Sequence, residues 1–356
     1  MINTPIRILV VGCGNMGASH ARAYHSMPEF EIVGLVSRGP ESRQNLSREL
    51  GGYPDFENYE EALAATRPDA VSINTYPDTH ADYVKKALAA GAHVFVEKPL
   101  ANTVEECLEI RDMVQRTGKK LVIGYILRVH PAWKKFIGIA RSLGKPLVMR
   151  MNLNQQSHGT TWETHKKLMD SMSPIVDCGV HYVDVMCLMT GAKPISVSAI
   201  GARLSDELIP GMYNYGQLQV RFDDGSVGWY EAAWGPMVSE TAFFVKDVMG
   251  PRGCVSIVDK PGDEASDDID SHTATNSLRI HYSETAADGS FARPDEWVDT
   301  TDEPGHQGLC GLEQAFFLRA ILEDLDLETH LEDAINSLRI VLAADESVKT
   351  GKTVQL

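Results

Sequence analysis

The stretch Gly12-Cys13-Gly14-Asn15-Met16-Gly17 follows directly on the apolar run IRILVV (6–11) and opens a helical pattern. Few folds accommodate a strand, a glycine-rich turn and a helix N-terminus in that order. Glycine permits the tight turn, lets backbone approach a pyrophosphate closely, and allows the helix to pack on the strand. The amides and dipole of the helix N-terminus then hold phosphate oxygens. A glycine-rich turn of no function has the same letters, but the context here points to a nucleotide site at Gly12, Gly14, Asn15 and Met16.

The rest of the first third repeats the rhythm. Val- and Ile-rich runs recur at 31–36, 70–74, 93–96 and 121–125, with helical patterns between them. One of these helices opens with Thr103-Val104-Glu105-Glu106, a capping box, and runs to Gly118 as a stop signal. Short apolar strands separated by helices predict a doubly wound α/β domain with a parallel sheet covered on both faces. Beyond about residue 128 the pattern changes. A helix over 174–190 precedes β-rich runs at 195–203, 215–222, 226–234, 242–248 and 253–258, with Asp223-Asp224-Gly225 as a hairpin turn. The acidic segment 259–304 reads as long surface loops with a strand at 278–283, and helices at 309–324 and 331–350 close the chain. The second domain is therefore expected to be a mostly antiparallel sheet with helices on one side.

Charge and cysteine content narrow the partners. With 33 Lys and Arg against 49 Asp and Glu, the net charge is −16. A field of that sign repels phosphate backbones and anionic membranes, so neither nucleic acid nor membrane is an expected partner. The N-terminus does not read as a signal peptide, and no apolar run reaches the length of a membrane span. Six scattered cysteines without a CxxC pair read as reduced thiols of a cytoplasmic protein.

Three further features carry chemistry. After the second strand, where an Asp or Glu would chelate the ribose hydroxyls of NAD, the chain has Ser37 and Arg38, with Arg43 close behind. A guanidinium there suits the 2′-phosphate, which favours NADP(H) with NAD(H) as the alternative; an Arg stacked on adenine alone fits either. Glu97-Lys98-Pro99 stands at the carboxyl end of the 93–96 strand, the edge at which open parallel sheets bind ligands. Pro99 biases Lys98 toward extended backbone. A Lys beside a cationic oxidised nicotinamide is held toward its neutral form and could accept a hydroxyl proton, although a lone Lys by default makes a surface salt bridge. Finally, Asp177, His181 and Asp184 fall at i, i+4 and i+7 on an otherwise apolar helical pattern. Acid–base chemistry, a structural His–Asp pair, or a zinc or manganese site would each explain such a stripe. No further ligand set lies near in sequence, and no metal is expected.

Taken together, these features resemble the glucose–fructose oxidoreductase / inositol dehydrogenase (Gfo/Idh/MocA) family. The resemblance rests on Gly12–Gly17, on Glu97-Lys98-Pro99, on Asp177 with His181, and on the closing pattern from Glu313 to Val354. It implies a dinucleotide-binding Rossmann domain over 1–127. It also implies an α/β domain over 128–356 with a large, mostly antiparallel open sheet that binds substrate and builds a homodimer or homotetramer. Lys98 corresponds to the family's catalytic lysine, and Asp177 and His181 to the pair that orients the sugar hydroxyl and relays its proton. Asn74, Thr75, Tyr76, Pro77 and His80 match the loop along the cofactor, with Glu97 and Lys98 beside it. Tyr125, as a substrate contact, and Arg128, as a cofactor contact, match the family's segment crossing from the cofactor domain to the substrate domain; Leu127 stands where the family often has Asn. Asn154, Gln156, His158, Trp162, His165 and His306 are the remaining substrate-binding candidates.

The expected activity is oxidation of a secondary hydroxyl of a sugar or cyclic polyol by an NAD(P)-dependent dehydrogenase, with Lys98 or His181 as the base. The same pocket would serve an NADPH-dependent reductase of a keto-sugar or aldose. A non-catalytic NAD(P)-binding sugar sensor, or transient oxidation that cleaves a glycosidic bond, are the other readings; an intact Lys98, Asp177 and His181 argue against the sensor.

Overall fold

A computed structural model describes residues 4–239, 245–258 and 275–356. The chain opens with β1 (Ile6–Val11), α1 (Asn15–Ser26), β2 (Phe30–Val36), α2 (Pro40–Glu49) and β3 (Asp55–Phe56). Then come α3 (Tyr59–Thr66), β4 (Ala70–Ile73), α4 (Pro77–Ala89), β5 (His93–Glu97), α5 (Val104–Thr117), β6 (Leu121–Gly124) and α6 (Ile126–Val129). The middle comprises α7 (Pro131–Ser142), β7 (Val148–Gln156), α8 (Gly159–Leu168), α9 (Pro174–Asp177) and α10 (Gly179–Thr190). It continues through β8 (Pro194–Ala202), β9 (Tyr215–Phe222), β10 (Val227–Gly235), β11 (Lys246–Gly250), β12 (Gly253–Val258), β13 (Ser277–Tyr282) and β14 (Glu296–Asp299). The chain closes with α11 (His306–Leu322), α12 (Glu328–Thr350) and β15 (Val354–Gln355).

Contacts divide the chain into two compact units: Met1–Val129 with Pro304–Ile335, and His130–Glu303 with Asn336–Leu356. The return of 304–335 to the first unit follows from its apolar face. Phe317, Leu318 and Ala320 of α11 share one core with Ile8, Tyr24, Ile32 and Phe95.

The first unit's sheet runs β3-β2-β1-β4-β5-β6, every pair parallel. The five strands expected from the apolar runs are present within a residue or two at each end; the short β3 is additional. Both halves of the Thr103/Glu106 capping box form, and Gly118 terminates α5 in the left-handed region at φ 65°. Strand order reverses between β1 and β4, and Gly12–Gly17 leaves β1 at that point.

The second unit's sheet runs β14-β13-β12-β11-β7-β10-β9-β8-β15. Only β7 with β10 is parallel; the other neighbours are antiparallel. The hairpin at Asp223-Asp224-Gly225 forms, with Gly225 at φ +84° and the Ser226 amide donating to Asp224 Oδ1 at 2.9 Å. The strand expected over 242–248 is β11; its first residues, and the acidic segment up to residue 274, lie outside the described residues. The expected single helix over 174–190 is two, restarting after Cys178. Gly179 lies so close to Tyr230 that an added Cβ would sit 2.9 Å from the ring. Strand β7 in mid-sheet, helices α7 and α8, and edge strands β14 and β15 were not anticipated. Among the described residues, no helix is long and apolar enough to cross a membrane.

Candidate active site

Two of the three glycines of the turn, Gly12 and Gly17, have a separate steric reason. A Cβ on Gly12, at φ +90°, would lie 2.4 Å from the Asn74 carbonyl oxygen, where β1 and β4 part. One on Gly17 would lie 1.8 Å from the Gly12 carbonyl oxygen, so only glycine lets α1 return this close to the strand end. Around Gly14 there is open space, and Gly14 is the N-cap of α1 without a capping side chain. The first-turn amides, including those of Asn15 and Met16, thus lack a side-chain cap, and helix N-terminal donors of this kind hold phosphate oxygens. These residues fit a dinucleotide on steric grounds.

At the ends of β2 and β4 the polar side chains divide into scaffold and surface. Arg43, buried, donates to Asp55 Oδ1 (2.8 Å) and to the carbonyls of Ser37 (2.9 Å) and Arg38 (3.2 Å), so it pins the turn after β2. Arg38 is left as the exposed guanidinium of that turn, and Ser37 Oγ lies 3.2 Å from Ser42 Oγ. Beyond β4, buried Asn74 donates to Ser72 Oγ at 3.1 Å, Thr75 and Thr79 share a hydroxyl contact of 2.6 Å, and Tyr76 is 56% exposed. Pro77 opens α4. His80 is wholly buried, its Nδ1 2.7 Å from the Pro99 carbonyl and its Nε2 3.0 Å from that of Thr75. Burial lowers its pKa, against the two carbonyls that favour its protonated form. This imidazole therefore ties the loop after β4 to the residue following Lys98.

At the end of β5 the alternation separates Glu97 from Lys98. Glu97 turns inward and is buried, with Oε1 2.7 Å from His20 Nε2; Lys98 is half-buried at the sheet's carboxyl edge. Burial alone would raise the Glu97 carboxyl, but the His20 bond and the charges around it prevail and hold it below its ordinary range. Tyr125 is buried, and Arg128 reaches past its ring to Asp333 Oδ2 at 2.7 Å. His306 opens α11 in the first unit, 3.5 Å from Cys310 Sγ. The remaining substrate candidates all belong to the second unit.

There, Asp177 ends α9 and buried His181 stands in the first turn of α10, whose Asp184 is wholly buried. His165 stacks on Trp234 with ring centroids 4.4 Å apart, and its Nδ1 lies 3.0 Å from Ser157 Oγ. Burial lowers the His165 pKa, and the Asp177 charge opposes that shift. Trp162 Nε1 donates to Glu207 Oε1 (3.2 Å), Asn154 Nδ2 to Glu231 Oε1 (2.9 Å), and Gln156 Nε2 to the Val238 carbonyl (2.8 Å). His158 is the exposed N-cap of α8. His165 and Asp177 thus form one electrostatic group, whereas Asn154, Gln156 and Trp162 each have a local partner. Sequence reading missed Trp234 and Ser157. Trp234 lies in a recognised strand run, but its stacking partner is 69 positions upstream, and no periodicity encodes that pairing.

A parallel sheet in the order 3-2-1-4-5-6, with a close-packed glycine turn at its reversal, defines a dinucleotide-binding α/β protein. The particular kind follows from the whole chain. It belongs to the Gfo/Idh/MocA oxidoreductase family: that family's NAD-binding Rossmann model matches residues 6–125, and its C-terminal α/β model matches residues 139–356. The scyllo-inositol 2-dehydrogenase (NAD(+)) of Bacillus subtilis (strain 168) is 30% identical over 99% of this chain and 96% of its own length. The D-glucoside 3-dehydrogenase of Escherichia coli (strain K12) is 25% identical over 71% of this chain and 77% of that one. In fold, the crystal structure of apo scyllo-inositol dehydrogenase from Lactobacillus casei superposes with a TM-score of 0.79 at 21% identity, covering 100% of this chain and 99% of that one.

Proposed function

We propose that this oxidoreductase removes hydrogen from a secondary hydroxyl of a sugar or cyclic polyol, with NADP as the favoured acceptor and NAD as the second. When bound, the oxidised dinucleotide supplies the hydride acceptor. The chain's own residues supply proton handling and orientation. Lys98 or His181 takes the hydroxyl proton, and the Asp177 carboxylate stabilises whichever of the two becomes cationic. His165, paired electrostatically with Asp177, stacks on buried Trp234, which fixes where that imidazole stands beside Asp177.

The observation that carries this reading is Lys98 at the carboxyl edge of β5, in a chain related over nearly its full length to a scyllo-inositol dehydrogenase. The preference for NADP rests on Ser37 and exposed Arg38 in place of a carboxylate, with Arg43 already engaged by Asp55. We also propose that the protein is a homodimer or homotetramer joined through the second unit's open sheet, where Ile200 of β8 is 62% exposed and Trp297 of β14 is 60% exposed.

The test is calorimetric titration of the cofactor-stripped protein with NAD and NADP separately. An absorbance screen of scyllo-inositol, myo-inositol and D-glucosides with the tighter dinucleotide follows. Tighter NADP binding with turnover on a polyol is the expected result. Tighter NAD binding would overturn the cofactor preference alone. Cofactor binding without turnover on any polyol or keto-sugar would overturn the dehydrogenase reading.

A further inference from the structure

Beneath the Lys98 edge lies a polar chain that runs through the interior of the first unit. The Tyr24 hydroxyl donates to Gln314 Oε1 at 2.5 Å, which turns the Gln314 amide nitrogen toward His20 Nδ1 at 2.8 Å. That nitrogen can only donate, so Nδ1 accepts and the ring's proton sits on Nε2. Nε2 in turn donates to Glu97 Oε1 at 2.7 Å. Every bond in the chain thus points the same way, and it ends on a carboxylate. The second oxygen of that carboxylate, Glu97 Oε2, accepts from the Lys98 backbone amide at 3.2 Å. His20, Tyr24 and Gln314 are wholly buried, and His20 also packs edge-on against Phe95 of β5 with ring centroids 4.8 Å apart.

Two neighbours sharpen the interpretation. His20, Cys310 and Glu313 bring three metal-ligating atoms within 4.8 Å of one another. Both ring nitrogens of His20 are committed, however, so the imidazole has no lone pair to give a cation. Glu313 is buried, and neither of its carboxyl oxygens has a hydrogen-bond partner. Burial, and then the charge on Glu97, push its pKa well above the ordinary carboxyl range, which favours the protonated form over a carboxylate that would compete for His20.

We infer that His20 is a positioning residue for Lys98: held by Gln314 and Tyr24, it orients Glu97 so that this carboxylate anchors the Lys98 peptide at the sheet edge. Helix α1, which begins at the dinucleotide turn, thereby sets the location of the residue that handles the proton. The inference rests on the proposed role of Lys98 in the reaction. Its test needs a readout that does not depend on that role.

The readout is the rate at which acetic anhydride labels Lys98, measured by mass spectrometry of its peptide in the full-length protein from about pH 7 to about pH 11. It is paired with kcat, KM and dinucleotide Kd. His20→Phe keeps the ring and its contact with Phe95 but removes both hydrogen bonds. It is expected to change the Lys98 labelling rate more than about threefold and to lower kcat about 10²-fold, with KM and Kd within about threefold. His20→Gln retains an amide donor toward Glu97 and should recover most of both. If His20→Phe folds poorly, Gln314→Leu removes only the outer link and should show the same signs at smaller size. Unchanged Lys98 labelling in both His20→Phe and Gln314→Leu overturns the inference. Lys98→Met separates the two failures. An active Lys98→Met sinks the proton-transfer role of Lys98 but leaves the labelling result to decide positioning. An inactive Lys98→Met beside unaltered His20→Phe sinks positioning alone.

Discussion

The glycine turn of the first unit and the His165–Asp177 group of the second are built in opposite ways. In the turn, the glycines lie within one short stretch, and the contacts that forbid a Cβ are to backbone: Gly12 itself and Asn74 at the neighbouring strand end. In the second group, His165 comes from α8, Trp234 from the end of β10, Ser157 from the loop after β7, and Asp177 from α9. Local backbone geometry carries the first; the mutual placement of four separate elements carries the second. A function built locally tolerates drift elsewhere in the chain, whereas one assembled from distant elements can be retuned by any of them.

The largest expected effect tests whether the β5 edge is chemical. Lys98→Met should lower kcat by about 10²–10⁴-fold, with dinucleotide affinity little changed. Normal turnover in steady-state assays would remove Lys98 from the mechanism and leave only the assembled group of the second unit.

The next separates packing from binding within the turn. Gly17→Ala places its methyl 1.8 Å from a backbone oxygen and should cost about 1–3 kcal/mol in denaturant unfolding, along with dinucleotide affinity. Gly14→Ala meets nothing within 4 Å at a φ of −76° that any residue adopts. Its stability should stay within about 0.5 kcal/mol of the parent while dinucleotide binding weakens. Equal losses of stability in the two variants would mean that the turn is not divided into packing and binding glycines.

A smaller effect bears on cofactor choice. Arg38→Ala should weaken NADP about tenfold, some 1.4 kcal/mol, and leave NAD unchanged in calorimetric titration. An equal loss for both would assign Arg38 to adenine stacking.

The smallest concerns Glu313. Its folded-state pKa is raised above the unfolded value, so the stability it contributes is fully present below about pH 4.5. That contribution is lost as pH rises toward the folded value. Glu313→Gln removes the titration, so the variant's Tm should gain on the parent's steadily as pH rises from about 5 to about 9. A Tm difference that does not vary with pH would mean that the Glu313 carboxyl titrates alike in both states.

Legibility followed the same division. The strand–turn–helix at 6–17, the five apolar parallel strands, the capping box at Thr103 and the hairpin at Gly225 were all readable, because each is governed by steric rules within a few residues. Strand β7 was also within reach. Met149, Met151 and Leu153 are buried and alternate with polar Arg150, Asn152 and Asn154, a period-two signal carried by methionines in place of β-branched residues. The polar stripe of Asp177, His181 and Asp184 was legible as spacing, but neither the helix restart at Cys178 nor the Tyr230 ring packed beside Gly179 was, since that ring comes from β10, far along the chain.

By itself, then, the sequence determined a doubly wound dinucleotide fold and placed Lys98 at the carboxyl edge of its sheet. Backbone periodicity and glycine sterics act over a few residues and leave their mark in the order of letters. The tertiary structure alone decided that Arg43 pins a loop while Arg38 faces outward, that α11 returns to the first unit's core, and that Glu97 turns inward to His20. The return of α11 depends on an apolar face finding its core, and the other two on which buried polar groups meet across 12 and 77 positions of chain, where burial demands a partner without specifying in sequence which one it will be.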